Sequence, residues 1–140
     1  MISNQHILIE GVGGIGRAIA AELIRAGYDL TLVTNNARIT AAINHHGLRF
    51  STPEEDQVIV PATALTTLDE LPGSAQFDAA YLLMKANAVV TTARQTLPYL
   101  KPEAYMVSFQ NGIVEEAIAD VVGGMERVIS ASVAFGSNME

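Results

Sequence analysis

Six residues near the amino terminus, Gly11-Val12-Gly13-Gly14-Ile15-Gly16, constrain this chain more than any others. They follow His6-Ile7-Leu8-Ile9-Glu10, a short and mostly apolar run with the pattern of a strand buried on both faces. They lead into Ile15, Ala18, Ile19, Leu23 and Ile24, whose spacing marks one face of a helix from about Gly14 to Ala26 that Gly27 can end in the left-handed conformation. Asp29-Leu30-Thr31-Leu32-Val33-Thr34 then reads as a second strand, so the glycines occupy the bend of a strand-helix-strand unit, which is right-handed almost without exception. In that bend Gly11 permits the tight turn off the strand, Gly13 removes a side chain that would strike a ligand, and Gly16 lets the helix pack closely on the sheet. Backbone N–H groups at a helix start favour an anion. The spacing therefore predicts a cradle for the pyrophosphate of a dinucleotide, formed by Gly11, Val12, Gly13, Gly14, Ile15 and Gly16.

The rest of the chain repeats the alternation. Ala37 to His46 reads as a second helix stopped by Gly47, and Leu48-Arg49-Phe50-Ser51 and Val58-Ile59-Val60 flank a polar, turn-rich segment that predicts a small hairpin in place of a plain crossover. Thr63 to Ser74 is expected to hold one short helical turn around Leu68 and Leu71 with loop on either side, because Pro72-Gly73 breaks anything longer. Asp78 to Met84 is a buried strand ending at Lys85. Ala88 to Leu100 reads as a helix, Ala104 to Phe109 as a strand, Val114 to Val122 as a helix and Arg127 to Phe135 as a last strand. The order predicts an α/β fold: a doubly wound parallel sheet of Rossmann type, with helices on both faces and a small hairpin insertion. With 140 residues and no linker or repeat, residues 1–140 are expected to form one dinucleotide-binding domain.

Composition removes several alternatives. Eight Lys and Arg against 15 Asp and Glu give a net charge of -7, which repels a polyanionic backbone, so no nucleic-acid partner is expected. No apolar run approaches the roughly 18 residues a membrane span needs and no basic segment precedes a signal-peptide core, so the expectation is a cytoplasmic protein with no membrane partner. The absence of cysteine excludes disulfides and thiolate chemistry. His45-His46 point about 100° apart on a helix end, and no carboxylate cluster completes a metal set, so no metal is expected. A homodimer is left open.

The end of the second strand bears on which nucleotide binds. NAD-selective members of this fold usually place Asp or Glu there to bond the ribose 2′-hydroxyl. Here Asn35 holds the position, 19 residues after Gly16, and Arg38 follows one helical turn on. A 2′-phosphate would meet no carboxylate and could pair with Arg38, so NADP (NADPH) is favoured over NAD. The competing reading keeps Arg38 as a solvated helix-face residue and makes Asn35 the cap of the second helix.

Taken with Met84-Lys85-Ala86 and Ser108-Phe109-Gln110-Asn111-Gly112, the glycine loop, Leu32-Val33 and His46-Gly47-Leu48 resemble the N-terminal domain of the ketopantoate reductase (2-dehydropantoate 2-reductase) family, over nearly all of the chain. Gln110-Asn111-Gly112 is the most telling part, since Rossmann packing alone does not require it. The resemblance implies hydride transfer from NADPH to a small 2-keto acid. It places the Lys85 ammonium near the adenosine 2′-phosphate and the Asn111 amide on the nicotinamide ribose and substrate, and Gly136, past the last strand, joins the expected cofactor contacts. Two departures stand out. The family commonly has an arginine where this chain has Asn35, so Arg38 or Lys85 must substitute. Family members also continue into a helical C-terminal domain that carries the lysine general acid. These 140 residues contain no counterpart, so the chain is expected to be a fragment or a stand-alone module that binds cofactor without turnover. The alternative function is a non-catalytic nucleotide sensor regulating a partner such as a transporter. Such modules typically use a strand-two carboxylate, which is missing here, and have no need of Gln110-Asn111-Gly112.

Overall fold

Alternate residues of the first apolar run point to opposite sides, and both sides are buried in the computed structural model, which describes residues 5–51, 54, 58–109 and 114–130. In β1 (His6–Glu10), Ile7 and Ile9 enter one hydrophobic cluster and Leu8 the other. The chain continues through α1 (Gly14–Arg25), β2 (Asp29–Val33), α2 (Ala37–His46), β3 (Leu48–Phe50), β4 (Val58–Val60) and β5 (Ala64–Leu65). It then runs through β6 (Phe77–Leu82), α3 (Ala86–Thr96), β7 (Leu100–Ser108), α4 (Glu115–Val122) and β8 (Val128–Ser130). A six-stranded sheet has the order β5-β2-β1-β6-β7-β8 with every pairing parallel, and β3 and β4 form a separate antiparallel hairpin. From β1 the chain winds outward to β2 and β5, then returns to begin β6 on the other side of β1. The order therefore reverses between β1 and β6, where the carboxyl ends of a doubly wound sheet leave a crevice.

Each face has its own helical layer. Ala20 and Ala21 of α1, Ile43 of α2 and Leu48 of the hairpin cover Ile7, Ile9 and Leu32. Val89 and Ala93 of α3 and Ile118 and Val122 of α4 cover Leu8, Phe77, Leu82 and Met106 on the opposite face. Burying a side chain of Leu or Ile size stabilises the fold by about 1.5–3 kcal/mol, and the two faces together explain why the strands read as apolar runs with no alternation.

Several boundaries differ from the sequence expectation. Thr63 to Ser74 does contain a short 3-10 turn, Leu68–Glu70, but Ala64–Leu65 before it is a strand of the main sheet. The Asn44 side chain of α2 fixes that strand, donating to the Ala64 carbonyl at 2.9 Å and accepting from its N–H at 2.8 Å. The third helix starts at Ala86 and ends at Thr96, and Pro98 sits in a 3-10 turn, Leu97–Tyr99, so β7 begins at Leu100, ahead of the expected Ala104. Helix two is capped by Asn36, whose Oδ1 accepts from the N–H groups of Arg38 and Ile39 at 3.0 and 3.1 Å. The cap reading of Asn35 is thereby corrected: with φ at 59° it lies in the left-handed region, outside the extended backbone of a cap residue. The last expected strand is described to Ser130, and residues 131–140 lie outside the described residues.

Two substitutions test this account. Gly47 leaves α2 at φ 84°, and a Cβ there would lie 2.8 Å from the Val60 carbonyl oxygen of the hairpin. Gly47→Ala is expected to lower the unfolding free energy by about 1–3 kcal/mol in urea titrations, and an unchanged midpoint would contradict the strained geometry. The second concerns Glu10, the one charged residue in β1, whose side chain is 3% exposed with Oε2 only 2.6 Å from the Thr96 hydroxyl. Burial pushes the carboxyl from 4.5 up to about 7, against the opposing effect of the Thr96 hydrogen bond. The unfolded chain releases this proton near 4.5 while the folded chain keeps it to about 7, so the stability it contributes is full below 4.5 and lost as pH rises through 7. The loss is on the order of 3 kcal/mol. Glu10→Gln stays neutral, so its stability relative to wild type should rise by roughly that amount between pH 4.5 and pH 8. A constant difference across this range would mean that Glu10 does not hold its proton in the fold.

Candidate functional site

The sheet ladder runs directly into the glycine turn. Gly11 N–H donates to the Val33 carbonyl at 3.0 Å, and Leu83 N–H donates to the Glu10 carbonyl at 2.9 Å, so the end of β1 is tied to both neighbouring strands. Gly11 then turns at φ 96°, and a Cβ on it would lie 3.0 Å from the Leu83 carbonyl carbon. The tightest approach is at Gly16, where a Cβ would fall 2.3 Å from the Gly11 carbonyl oxygen. Only at this separation does the start of α1 stand over the end of β1. Gly13 is the N-cap residue, and Arg17 N–H makes a helical bond back to it at 2.9 Å. The N–H groups of residues 14, 15 and 16 precede that first bond and have no helical acceptor. No side chain caps this helix start and its first turn holds no acidic residue. A tight turn, a cradle that side chains would fill and unspent N–H donors fit a pyrophosphate. Val12 contributes backbone only, since its side chain is buried in the core.

Beside the turn lies a cavity of about 560 Å³ between the carboxyl end of β2 and α3. Glu10, Gly11, Thr34, Asn35, Met84 and Thr92 are among its lining residues. Asn35 thus stands where the sequence put it, at the end of β2 and facing the same space as Gly11. The Thr34 and Thr40 hydroxyls are 2.7 Å apart and Thr66 donates to Thr40 at 3.2 Å, which holds the β2 and β5 ends together along one wall. Arg38, in the first turn of α2, and Lys85, the N-cap residue of α3, are both exposed and do not line the cavity. Asn111 and Gly136 lie outside the described residues.

Sequence reasoning missed Glu10, Thr34, Thr66, Met84 and Thr92 as lining residues, and also Asp69, the carboxylate that the 3-10 turn brings to the cavity wall. Glu10 alone carried a signal, as a charge inside a strand otherwise patterned for burial on both faces. The others are ordinary residues that meet only because β2, the 3-10 turn and α3 converge. The His45 and His46 rings are 6.1 Å apart, and among the described residues no group of three His, Cys, Asp or Glu is placed to hold a metal ion. Among the same residues no helix is long and apolar enough to cross a membrane.

Comparison with known proteins agrees with this geometry. The D-mandelate dehydrogenase structure solved with NADH and anilino(oxo)acetate superposes with a TM-score of 0.82 at 22% identity, covering 96% of this chain and 43% of that one. The 2-dehydropantoate 2-reductase structure from Geobacter metallireducens GS-15 gives a TM-score of 0.73 at 26% identity, covering 89% of this chain and 40% of that one. The 2-dehydropantoate 2-reductase of Mesorhizobium japonicum is 35% identical over 108 residues, which are 76% of this chain and 32% of the relative. The chain thus spans about a third of the length of that curated relative. The family model described as ketopantoate reductase PanE/ApbA matches residues 7–140. That match runs from the second residue of β1 to the last residue of the sequence, and the chain belongs to the ketopantoate reductase PanE/ApbA family.

Proposed function

We propose that the chain is the nucleotide-binding part of an NADPH-dependent reductase acting on a small 2-keto acid, with 2-dehydropantoate to pantoate as the leading reaction. The observation that carries this reading is the Gly11–Gly16 turn at the β1/β6 order reversal, whose first residue lines a cavity that Asn35 also lines. Family membership supports the reaction class. When bound, the nicotinamide supplies the hydride that reduces the substrate carbonyl. The chain's own tasks are to hold the diphosphate on the N–H groups of the turn, seat the adenosine against Asn35 and the threonines of the cavity wall, and direct the rest of the cofactor across the crevice. Asn111 is assigned, by resemblance, to the nicotinamide ribose and the substrate. Proton donation to the carbonyl oxygen is assigned to no residue of these 140.

One observation favours a second reading for the nucleotide. The structure solved with NADH shares this fold, and Asp69 lines the cavity, where a carboxylate could bond a ribose hydroxyl. Against it, β2 ends without a carboxylate, and Arg38 and Lys85 are exposed cations that we assign to a 2′-phosphate.

The two readings separate by titration. NADPH is expected to bind about 10- to 100-fold more tightly than NADH, a difference of roughly 1.4–2.8 kcal/mol that shrinks with added salt. Arg38→Ala and Lys85→Ala should each weaken NADPH while leaving NADH nearly unchanged. Equal affinities for the two nucleotides, or parallel losses in both variants, would remove the NADPH assignment. With 2-dehydropantoate present, the 140-residue chain should bind NADPH without oxidising it, and measurable oxidation would show that the proton donor lies within these residues.

A further inference from the structure

We infer that Glu10 makes nucleotide binding at this crevice a proton-linked event: the site takes nucleotide with Glu10 as a neutral acid and loses affinity as that acid ionises. The inference rests on the nucleotide reading above and goes beyond it.

The first support is position. Glu10 is the residue immediately before Gly11, paired across the sheet with Val33 and Leu82. Its side chain turns to the α3 face, where Oε2 meets Thr96, and the residue lines the cavity that Gly11 and Asn35 also line. Whatever occupies that cavity displaces the water that would solvate a carboxylate there.

The second is hydrogen-bond arithmetic. The Thr96 hydroxyl lies 2.6 Å from Glu10 Oε2 and 2.8 Å from the Thr92 carbonyl oxygen. A hydroxyl has one proton to donate and two lone pairs to accept with. With Glu10 neutral, its acid proton goes to Thr96, and Thr96 donates to the Thr92 carbonyl, so both short contacts are hydrogen bonds. With Glu10 ionised, Thr96 has two acceptors and one proton, which the carboxylate must share with the Thr92 carbonyl. The neutral acid satisfies both contacts in full.

The Thr96 hydrogen bond favours the carboxylate, and burial outweighs it. β2 and β6 present Val33 and Leu82 beside it, and α3 presents Thr92, Thr96 and Gln95. The titratable groups that share the cavity are Asp69, from the 3-10 turn, and Tyr99, after α3; no Lys, Arg or His is among the lining residues. Burial accordingly raises the carboxyl to about 7.

The coupling has a definite sign. A dinucleotide places the two negative charges of its diphosphate on the turn that begins at the next residue, and fills the cavity. Both effects favour the acid, so the bound form keeps its proton to a higher pH than the free form. Below about pH 7 both forms hold the proton and affinity is flat. Above it the free form ionises first, binding takes up a proton, and affinity falls by up to about tenfold per pH unit until the bound form also ionises.

The test is calorimetric titration of the full 140-residue chain with NADH and NADPH at pH 6 and pH 8.5, each in two buffers of different ionisation enthalpy. NADH is the cleaner probe, because the 2′-phosphate monoester of NADPH titrates near pH 6 by itself. Wild type should bind NADH at least about fivefold more weakly at pH 8.5, with buffer-dependent heats that report proton uptake between the two pH values. Glu10→Gln can still donate to Thr96 and should bind with an affinity that does not change with pH and with no proton uptake. If wild type binds NADH with no proton uptake and equal affinity at both pH values, the inference fails while the nucleotide reading stands. It fails in the same way if Glu10→Gln retains the wild-type profile. If neither nucleotide binds wild type at pH 6, the nucleotide reading fails and takes this inference with it. The wild-type heats decide the matter even if the Gln variant does not fold.

Discussion

The rest of the structure depends on how closely α1 approaches the end of β1. A side-chain carbon at Gly16 would sit 2.3 Å from the Gly11 carbonyl oxygen, so any other residue there would push the helix start away from the strand. The same closeness recurs along the helix, where Ala20 and Ala21 are fully buried against the sheet and leave no space for larger side chains. Setting α1 low on the sheet places β2 beside β1 in register, from His6 against Asp29 to Glu10 against Val33. The carboxyl ends of the two strands then finish level. One backbone contact thereby serves both packing and the site: it buries α1 and sets the start of that helix beside Gly11, which lines the cavity.

Much of this was legible because it rests on backbone constraints that only certain residues satisfy. The glycine pattern marks the turn, Gly27 and Gly47 mark the ends of α1 and α2, and the apolar runs mark strands buried on both faces. What could not be read was set at a distance. Ala64–Leu65 is too short to show a period and becomes a strand because Asn44, 20 residues earlier, holds Ala64 by both N–H and carbonyl. The adjacent asparagines after β2 were equally good cap residues by composition. The choice of Asn36 follows from Asn35 taking the left-handed conformation that turns the chain into α2.

The candidate site divides along the same line. Its glycine turn was visible, since so close a backbone approach must be written in glycine. The cavity wall beyond Asn35 was not, because threonine and methionine are residue types found anywhere, and separate segments supply them. Asp69 is the instructive miss. The search for a carboxylate at the end of β2 was sound, and none is there, but the 3-10 turn after β5 brings one to the same cavity from 34 residues further along the chain. Its hydrogen-bonding chemistry would be available to a ribose from either direction.

Charge sets the remaining constraint on this crevice. The sequence carries a net charge of -7, so an anionic nucleotide approaching from solution meets net repulsion beyond the immediate site. That repulsion decays over a Debye length of about 8–10 Å at moderate salt, so added salt relieves it. The N–H groups of the turn act at contact distance and are little screened, whereas exposed Arg38 and Lys85 are screened like any surface cation. The two contributions therefore respond to salt in opposite senses. For a nucleotide held by the turn alone, screening removes repulsion and costs little attraction. For one that also uses the rim cations, screening weakens the attraction those cations provide. If the exposed cations pair with a 2′-phosphate and the turn holds the diphosphate, a change of ionic strength alters the selectivity between nucleotides while leaving their common affinity largely intact.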